Sequence, residues 1–255
     1  MIKKTYPILE FDRNRKAVID PGKNIKPIDI SEHCVLTFFK EVIDRLVENK
    51  RARLVHNIKS EMGPFPVYEM KVNGRRLAVM HPGLASPLAA GVLEELVALG
   101  CRKFIACGGA GVLHKKIGRG TVVVVNAAVR DEGTSYHYLP PSREVKANTK
   151  AIKIIETILK RQKVKYLVGK TWTTDAFFRE TKEKIALRKS EGCLTVEMEA
   201  AAFLAVSQFR KVKFGQILYA GDDVSGEEWD QRHSDQRDAQ REKLFWLAVE
   251  SCLLL

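Results

Sequence analysis

A run of almost uninterrupted apolar residues, G-T-V-V-V-V-N-A-A-V at positions 120–129, most constrains how this chain can fold. A strand with one face in water alternates apolar and polar residues, whereas a strand covered on both faces is apolar throughout. The run therefore predicts a strand in a sheet that is covered on both sides. The remaining sequence must then supply the elements that cover it.

Strand and helix patterns alternate along the chain. In 86–100, Ser86 is the expected N-cap, Pro87 the first helical residue and Gly100 the stop. The alternation predicts one α/β domain with a mixed, mostly parallel sheet flanked by helices. Besides the apolar run, strands are predicted at 75–81, 103–107, 166–172 and 214–221, and helices at 37–48, 86–100, 148–162, 198–209 and 233–254.

The N-terminal residues differ in character from the rest of the chain. Residues 1–33 are polar and broken by prolines and a glycine, which predicts an irregular N-terminal arm ahead of a domain at 34–255.

The five scattered cysteines form no C-x-x-C pair, which indicates reduced thiols. No leader-like or membrane-spanning apolar run is present, so we expect a cytoplasmic protein with no membrane partner.

The formal charge of +12 could indicate nucleic acid, an anionic small molecule or only solubility. The basic residues are dispersed and mixed with acids, as in R-D-A-Q-R-E-K (237–243), and no nucleic-acid motif is present. Four of the histidines, at positions 81, 114, 137 and 233, show no metal-ligand spacing. We therefore predict no nucleic-acid partner and no metal.

In open α/β sheets, ligands collect beyond the carboxyl ends of the strands. This rule selects four stretches that are rich in glycine, hydroxyl or acidic residues: 81–87, 107–111, 172–179 and 221–226. The unusual chemistry of the sequence is thus concentrated where a pocket is expected.

The second of these stretches contains Gly108-Gly109-Ala110-Gly111, predicted to be a turn after a strand. Such a turn lets backbone N–H groups approach a phosphate. The alternative is a tight turn that only glycine can make. The fourth contains Asp222 and Asp223, which fit a turn. A shielded carboxylic acid at such a place can also deliver a proton.

The stretch T-V-E-M-E-A-A-A-F at 195–203 places two carboxylates around a methionine at the start of a helix. Acids suit a helix N-terminus in any protein. If the segment is still extended, however, Glu197 and Glu199 project to the same side and accept hydrogen bonds from paired sugar hydroxyls. Met198 would then offer an apolar surface to the sugar ring.

The V-E-M-E-A-A-A segment resembles the ribose-binding signature of the nucleoside phosphorylase superfamily. The resemblance extends over about 75–226 and includes four further segments: G-L-A-S-P (83–87), C-G-G-A-G-V-L (107–113), V-R-D-E-G-T-S-Y-H (129–137) and T-T-D-A-F-F (173–178). The strand ending A-G-D-D matches as well. The resemblance implies an enzyme that cleaves the N-glycosidic bond of a nucleoside.

Carried over to this sequence, the resemblance implies a role for each matching residue. Glu199 would bind the ribose hydroxyls, with Met198 against the sugar and Glu197 nearby. Asp222 would protonate the base, with Asp223 as the alternative if the register shifts by one. The base would be flanked by Phe177 and Thr174.

This chain departs from the family where phosphate is expected. Typical phosphorylases carry a G-D-P-x-R element where this chain has L-T-F-F-K (36–40), and an arginine where it has Ala106. They carry serine or threonine where it has Gly109. Phosphate would then depend on backbone N–H groups near Gly108 and Gly109 and on a substitute cation, either Lys59 or a residue of another subunit.

The sequence therefore predicts a nucleoside phosphorylase-like enzyme with phosphate as co-substrate and no other cofactor. R-E-T-K-E (179–183) departs from the Q-x-R pair of uridine phosphorylases, whereas V-R-D-E-G-T-S-Y-H (129–137) is more similar to the uridine branch. Asp222 resembles the purine-cleaving members, so a purine is slightly favoured over uracil. The alternatives are a nucleosidase that uses water and a nucleoside-binding protein without turnover. The family implies a homo-oligomer, either a dimer or a hexamer.

Overall fold

A computed structural model of the chain describes residues 3–233 and 235–255. The first two residues of the predicted arm, and residue 234 within the predicted closing helix, lie outside the described residues.

One mixed sheet organises the described part of the chain, and helices flank it, as the sequence predicts. Its strands are β1 (His33–Thr37), β2 (Ala52–Ile58), β3 (Phe65–Val72), β4 (Arg75–Met80), β5 (Lys103–Val112), β6 (Val122–Asp131), β7 (Glu144–Lys146), β8 (Tyr166–Thr174), β9 (Cys193–Glu197) and β10 (Lys213–Asp223). The strand order is β10-β6-β8-β9-β5-β1-β4-β3-β2, and β7 pairs with β6. Parallel pairing joins β1 to β4 and β5, β5 to β10, and β8 to β6 and β9.

Strand β5 also pairs with β10, so that β10, β6, β8, β9 and β5 close into a ring. The helices lie outside this ring and beside the strands that extend from it. They are α1 (Pro21–Asn24), α2 (Lys40–Glu48), α3 (Ser86–Leu99), α4 (Thr149–Arg161), α5 (Lys182–Ser190), α6 (Ala200–Arg210) and α7 (Arg237–Leu254), with 3-10 turns at Pro7–Leu9, Thr134–His137 and Phe177–Arg179.

Strand β6 contains the apolar run, and both of its faces are covered. Val122 and Val124 pack in a core cluster with residues of α4 and α7, whereas Val123 and Val125 pack with Ala110 and Leu218 of neighbouring strands. One face is therefore covered by helices and the other by the strands of the ring. This arrangement explains why no polar alternation is found there.

Helix α3 ends as predicted and begins one residue away from the prediction. Gly100 stops it with a φ of 133°, which suits glycine. The N-cap position is taken by Ala85, at a φ of 69°, and Ser86 is the first helical residue. Ser86 does not cap the helix because its hydroxyl donates to the Met198 carbonyl at 2.7 Å. A tertiary contact has replaced the local one.

The glycine-rich turn predicted after residue 107 is wrong. Gly108, Gly109 and Gly111 lie within β5, where Gly109 pairs with Tyr219 of β10 and Gly111 with Val196 of β9. None of the three is among the positive-φ glycines of the described chain. These positions are glycine because neighbouring side chains fill the space that a Cβ would take: a Cβ on Gly108 would lie 2.8 Å from the Phe38 ring.

The segment before β1 contains only α1 and the first 3-10 turn among its described residues. The Ile28 N–H donates to the Leu99 carbonyl at 3.1 Å, and Ile25, Ile28 and Ile30 pack against the cluster that includes α3. All five cysteines are buried and unpaired. Within the described residues, no helix has the length and apolar character needed to cross a bilayer.

Candidate functional site

A cavity of about 590 Å³ opens where β5, β9 and β10 lie side by side. Its walls take residues from three of the four stretches selected by the strand-end rule, together with the start of α7. Glu197, Met198 and Asp222 all line it, so the structure brings these three predicted residues together, whereas Glu199, the predicted ribose-binding residue, is buried and is not among the lining residues.

Glu197 is the last residue of β9, and its carboxylate caps the start of α6. Its Oε2 accepts hydrogen bonds from the N–H groups of Glu199 (2.9 Å) and Ala200 (2.7 Å), and its Oε1 accepts one from the Thr173 hydroxyl (2.7 Å). The carboxylate thus satisfies helix N–H groups that have no partner within the helix. Glu197 is 8% exposed, so it acts as a helix cap and also borders the cavity.

Glu199 is buried against the 81–87 stretch. Its Oε1 accepts a hydrogen bond from the Ala85 N–H at 2.7 Å. The left-handed backbone of Ala85 is a strained conformation for a residue with a side chain, and such strain concentrates at functional sites. This bond uses one of the acceptor positions of the carboxylate, which leaves Glu199 more capacity for a ligand than Glu197 has.

Burial governs the protonation of this pair. It raises the pKa of Glu197, against the lowering effect of the Thr173 hydroxyl and the backbone donors. Burial also raises the pKa of Glu199, and the charge of Glu197 raises it further. Two carboxylates in so little water do not both ionise readily. The pair therefore holds a proton more tightly than free glutamates do.

The structure separates the two adjacent aspartates. Asp222 lines the cavity, lies over Gly111, and accepts a hydrogen bond from the Trp229 indole N–H at 2.7 Å. Asp223 is 7% exposed and forms an ion pair with Arg232 at 2.5 Å. Asp222 is therefore the aspartate available to a ligand in the cavity.

Glu180 is a cavity residue that the sequence reasoning did not select. It lies in the stretch between the 3-10 turn at Phe177–Arg179 and α5, and it lines the same wall as Asp222. Burial, followed by the charge of Asp222, raises the pKa of Glu180 to about 7. The only signal in the sequence was its position just after the aromatic T-T-D-A-F-F segment.

The residues predicted to flank the base take different positions. Phe177 lines the cavity and is 52% exposed, with its ring 4.1 Å from that of Phe178. Thr174 is buried, and its hydroxyl oxygen accepts a hydrogen bond from the Ala176 N–H at 3.2 Å. Thr174 thus shapes the loop that carries Phe177 and does not line the cavity itself. A second cavity, of about 700 Å³, adjoins the first through Phe177, Glu180, Asp222 and Trp229.

The predicted phosphate residues are also divided. Gly109 borders the cavity, whereas the missing Cβ of Gly108 points at Phe38 on the other side of the strand. Lys59 follows β2, is exposed, and is not part of the cavity wall. The structure does not bring the suggested substitute cation to this cavity.

Three arginines that the sequence reasoning missed line the cavity: Arg119, from the loop between β5 and β6, and Arg237 and Arg241, from the first two turns of α7. The last two are four residues apart and so share one face of the helix. That spacing was the only sequence signal, and it is common in charged helices. Their position at the cavity depends on where α7 packs.

Comparison with known proteins identifies the family. Residues 32–252 match a family model described as the Phosphorylase superfamily. A guanosine phosphorylase of Halorubrum lacusprofundi is 27% identical over 180 residues, 70% of this chain and 73% of that protein. A uridine phosphorylase of Haemophilus influenzae is 31% identical over 107 residues, 42% of each chain.

The fold also matches a solved structure. The crystal structure of a purine nucleoside phosphorylase from Toxoplasma gondii in complex with immucillin-H superposes with a TM-score of 0.75 at 19% identity, over 88% of this chain and 91% of that one. At this identity the similarity establishes the fold, and it agrees with the resemblance seen in the sequence.

Proposed function

Because the chain belongs to the phosphorylase superfamily, we propose that it cleaves the N-glycosidic bond of a nucleoside with phosphate, giving free base and pentose 1-phosphate. The observation that carries this proposal is the composition of one cavity, which is lined by Glu197, Met198, Asp222 and Arg241. The cavity thus joins acceptors for hydroxyl groups, an acid for a leaving group and a cation for an oxyanion.

The sugar is proposed to lie against Met198, with its hydroxyls donating to Glu199. Opening the Glu199–Ala85 contact would free both carboxylate oxygens for the vicinal hydroxyls of a pentose. Glu197, held by three internal hydrogen bonds, keeps the segment in place. A sugar held in this way presents its reacting carbon in a fixed orientation.

The base is proposed to lie between Phe177 and Asp222. Bond cleavage leaves negative charge on the departing base, and a proton from Asp222 neutralises it. The Trp229 N–H bond to Asp222 orients the carboxyl group, and Glu180 on the same wall limits how much negative charge that wall carries. Phe177 supplies the apolar surface for a planar ring.

A purine is the proposed base. Asp222 at the end of β10 supports this choice, as does the absence of the Q-x-R pair expected for uracil from 179–183. The name of the Halorubrum relative, a guanosine phosphorylase, points the same way, whereas the Haemophilus relative is a uridine phosphorylase. We also propose a cytoplasmic homo-oligomer with no cofactor besides phosphate, in which the N-terminal arm (1–33) reaches a neighbouring subunit.

A nucleosidase that uses water is the second candidate. It is favoured by Ala106, which is buried and apolar at the place where the family carries a phosphate-binding arginine. If no other group holds phosphate, water is the remaining nucleophile.

The test is the release of free base from a panel of purine and pyrimidine nucleosides, with and without phosphate. We expect release from a purine nucleoside that depends on phosphate and forms pentose 1-phosphate. Release at the same rate without phosphate would establish the nucleosidase. Tight binding of a nucleoside with no release from any member of the panel would show a binding protein and overturn the proposal.

A further inference from the structure

The cavity wall carries basic as well as acidic side chains. Besides its carboxyl groups, three arginines line it: Arg119, Arg237 and Arg241. Three guanidinium groups around one cavity attract an anion, because the fields of like charges add. An uncharged nucleoside does not use such a wall.

The placement of Arg237 in the first turn of α7 also points to an anion. The N-terminal end of a helix carries a partial positive charge, so cations there are unfavourable and anions favourable. One acidic residue, Asp238, lies in the first turn, and Asp235 lines the cavity nearby. Arg237, in the first turn, therefore lies where the backbone disfavours a cation, and a bound anion would offset this.

Tyr219 lies between Arg241 and Gly109 in the cavity wall. It lies opposite Gly109 in the β5–β10 ladder, and its ring crosses the glycine: a Cβ at Gly109 would lie 3.1 Å from the ring and 3.3 Å from the hydroxyl oxygen. The Nε–H of Arg241 donates to this hydroxyl oxygen at 3.2 Å. Because the oxygen accepts from the arginine, the O–H proton of Tyr219 remains available for donation.

Arg241 itself is held in place from two sides. Its Nη1 donates to Glu41 of α2 at 3.0 Å, and its guanidinium lies 5.2 Å from the centre of the Phe39 ring. Within the described chain, Nη2 has no hydrogen-bond acceptor, and the same is true of the buried Nε of Arg119. A fixed guanidinium with an unused N–H group is suited to an oxyanion.

We propose that Tyr219 and Arg241 hold the attacking oxyanion, inorganic phosphate, above Gly109, and that Arg237 and Arg119 complete the positive wall. The tyrosine hydroxyl and the Nη2 of Arg241 donate to phosphate oxygens. The choice of phosphate rests on the proposed function, whereas the anion site rests on the geometry. A tyrosine–arginine pair from β10 and α7 thus takes over the task that Ala106 and Gly109 cannot perform.

The proposed role of Tyr219 also explains why position 109 is a glycine. The ring of Tyr219 occupies the space next to Gly109, so any side chain at position 109 would displace the ring and its hydroxyl. The glycine makes room for a donor that reaches the cavity from the neighbouring strand.

The test uses the full chain and measures the binding of radiolabelled inorganic phosphate by equilibrium dialysis, together with KM for phosphate and for nucleoside. We expect Arg241→Met to weaken phosphate binding at least about tenfold, as for a lost hydrogen bond to a charged group. Tyr219→Phe, which removes one oxygen atom, should weaken it about fivefold. Both variants should raise KM for phosphate more than KM for nucleoside.

Arg45→Met is the matched control. Arg45 forms the other ion pair between α2 and α7, with Glu242 at 3.2 Å, and it does not line the cavity. This variant should change phosphate affinity less than about twofold, since it removes a surface ion pair only. Loss of phosphate binding in Arg45→Met equal to that in Arg241→Met would attribute the effect to helix docking and overturn the assignment.

The outcomes also separate this inference from the proposed function. Phosphate-dependent turnover with an unchanged KM for phosphate in Arg241→Met and Tyr219→Phe would leave the phosphorylase intact and refute the site. Base release without phosphate would refute the phosphorylase. In that case, phosphate binding that is lost in Arg241→Met would still establish the anion site, and no phosphate binding by the unaltered chain would refute it.

Discussion

The Glu197–Met198 segment and the arginines of the cavity wall are built in opposite ways. Glu197 and Met198 are consecutive residues, and Glu197 bonds to N–H groups two and three residues further along. The arginines are Arg119, Arg237 and Arg241, and Arg241 is held by Glu41 and Tyr219 from other elements.

This difference explains why the Glu197–Met198 segment could be recognised in the sequence and the arginines could not. A motif whose geometry is set by its own backbone keeps its residue types and spacing together, so it can be read from a short stretch. A site assembled from distant elements leaves only single residues in the sequence. Substitutions in each group of residues test this difference.

The largest effect is expected at Asp222. Asp222→Asn cannot donate a proton to the base, so kcat/KM for the nucleoside substrate should fall about 100-fold, as for a lost general acid. A 4-nitrophenyl riboside has a leaving group that needs no proton, and its cleavage should fall less than about threefold. Equal losses for the two substrates would show that Asp222 supports the site in some other way.

A somewhat smaller effect is expected at Glu199. Glu199→Gln weakens a charged hydrogen bond to the sugar, so kcat/KM should fall about 30-fold, equivalent to about 2 kcal/mol. A 2′,3′-dideoxynucleoside lacks the hydroxyls, so its kcat/KM should be nearly the same for Glu199→Gln and the unaltered chain. Glu183→Gln, on the exposed surface of α5, serves as the control and should leave both rates unchanged. If both substrates lost the same factor in Glu199→Gln, the carboxylate would not be binding hydroxyls.

The smallest effect concerns the pH dependence of stability. Because the pKa of Glu180 is raised from 4.5 to about 7, the native state binds its proton more tightly than the unfolded state does. The free energy of unfolding should therefore fall as the pH rises between these values. Glu180→Gln should reduce this fall, and Glu183→Gln should not.

Urea unfolding at a series of pH values between 5 and 8 measures the difference. Part of the fall should remain in Glu180→Gln, because Glu197 and Glu199 also have raised pKa values. Identical slopes for the unaltered chain and Glu180→Gln would show that Glu180 is not buried beside Asp222 in solution.

The sequence by itself determined the elements whose signals are local. The apolar run of β6 and the stop of α3 at Gly100 depend on neighbouring residues, and both were located correctly. The E-M-E segment lies at the end of β9, and the helix predicted from residue 198 begins at Ala200. Strand β9 was missed although it leads directly into that segment, since five residues are too few for a periodic pattern. Local chemistry likewise indicated Asp222 and Asp223 together, without separating them.

Only the tertiary structure decided which groups face the cavity. Ring closure between β5 and β10 places Asp222 over Gly111 and Tyr219 over Gly109, and it turns a predicted glycine turn into strand. The packing of α7 brings Arg241 to the cavity, whereas Lys59 remains outside it. The Asp222–Gly111 and Tyr219–Gly109 contacts join residues more than 100 positions apart, and their geometry follows from how the sheet closes and not from any short stretch of chain.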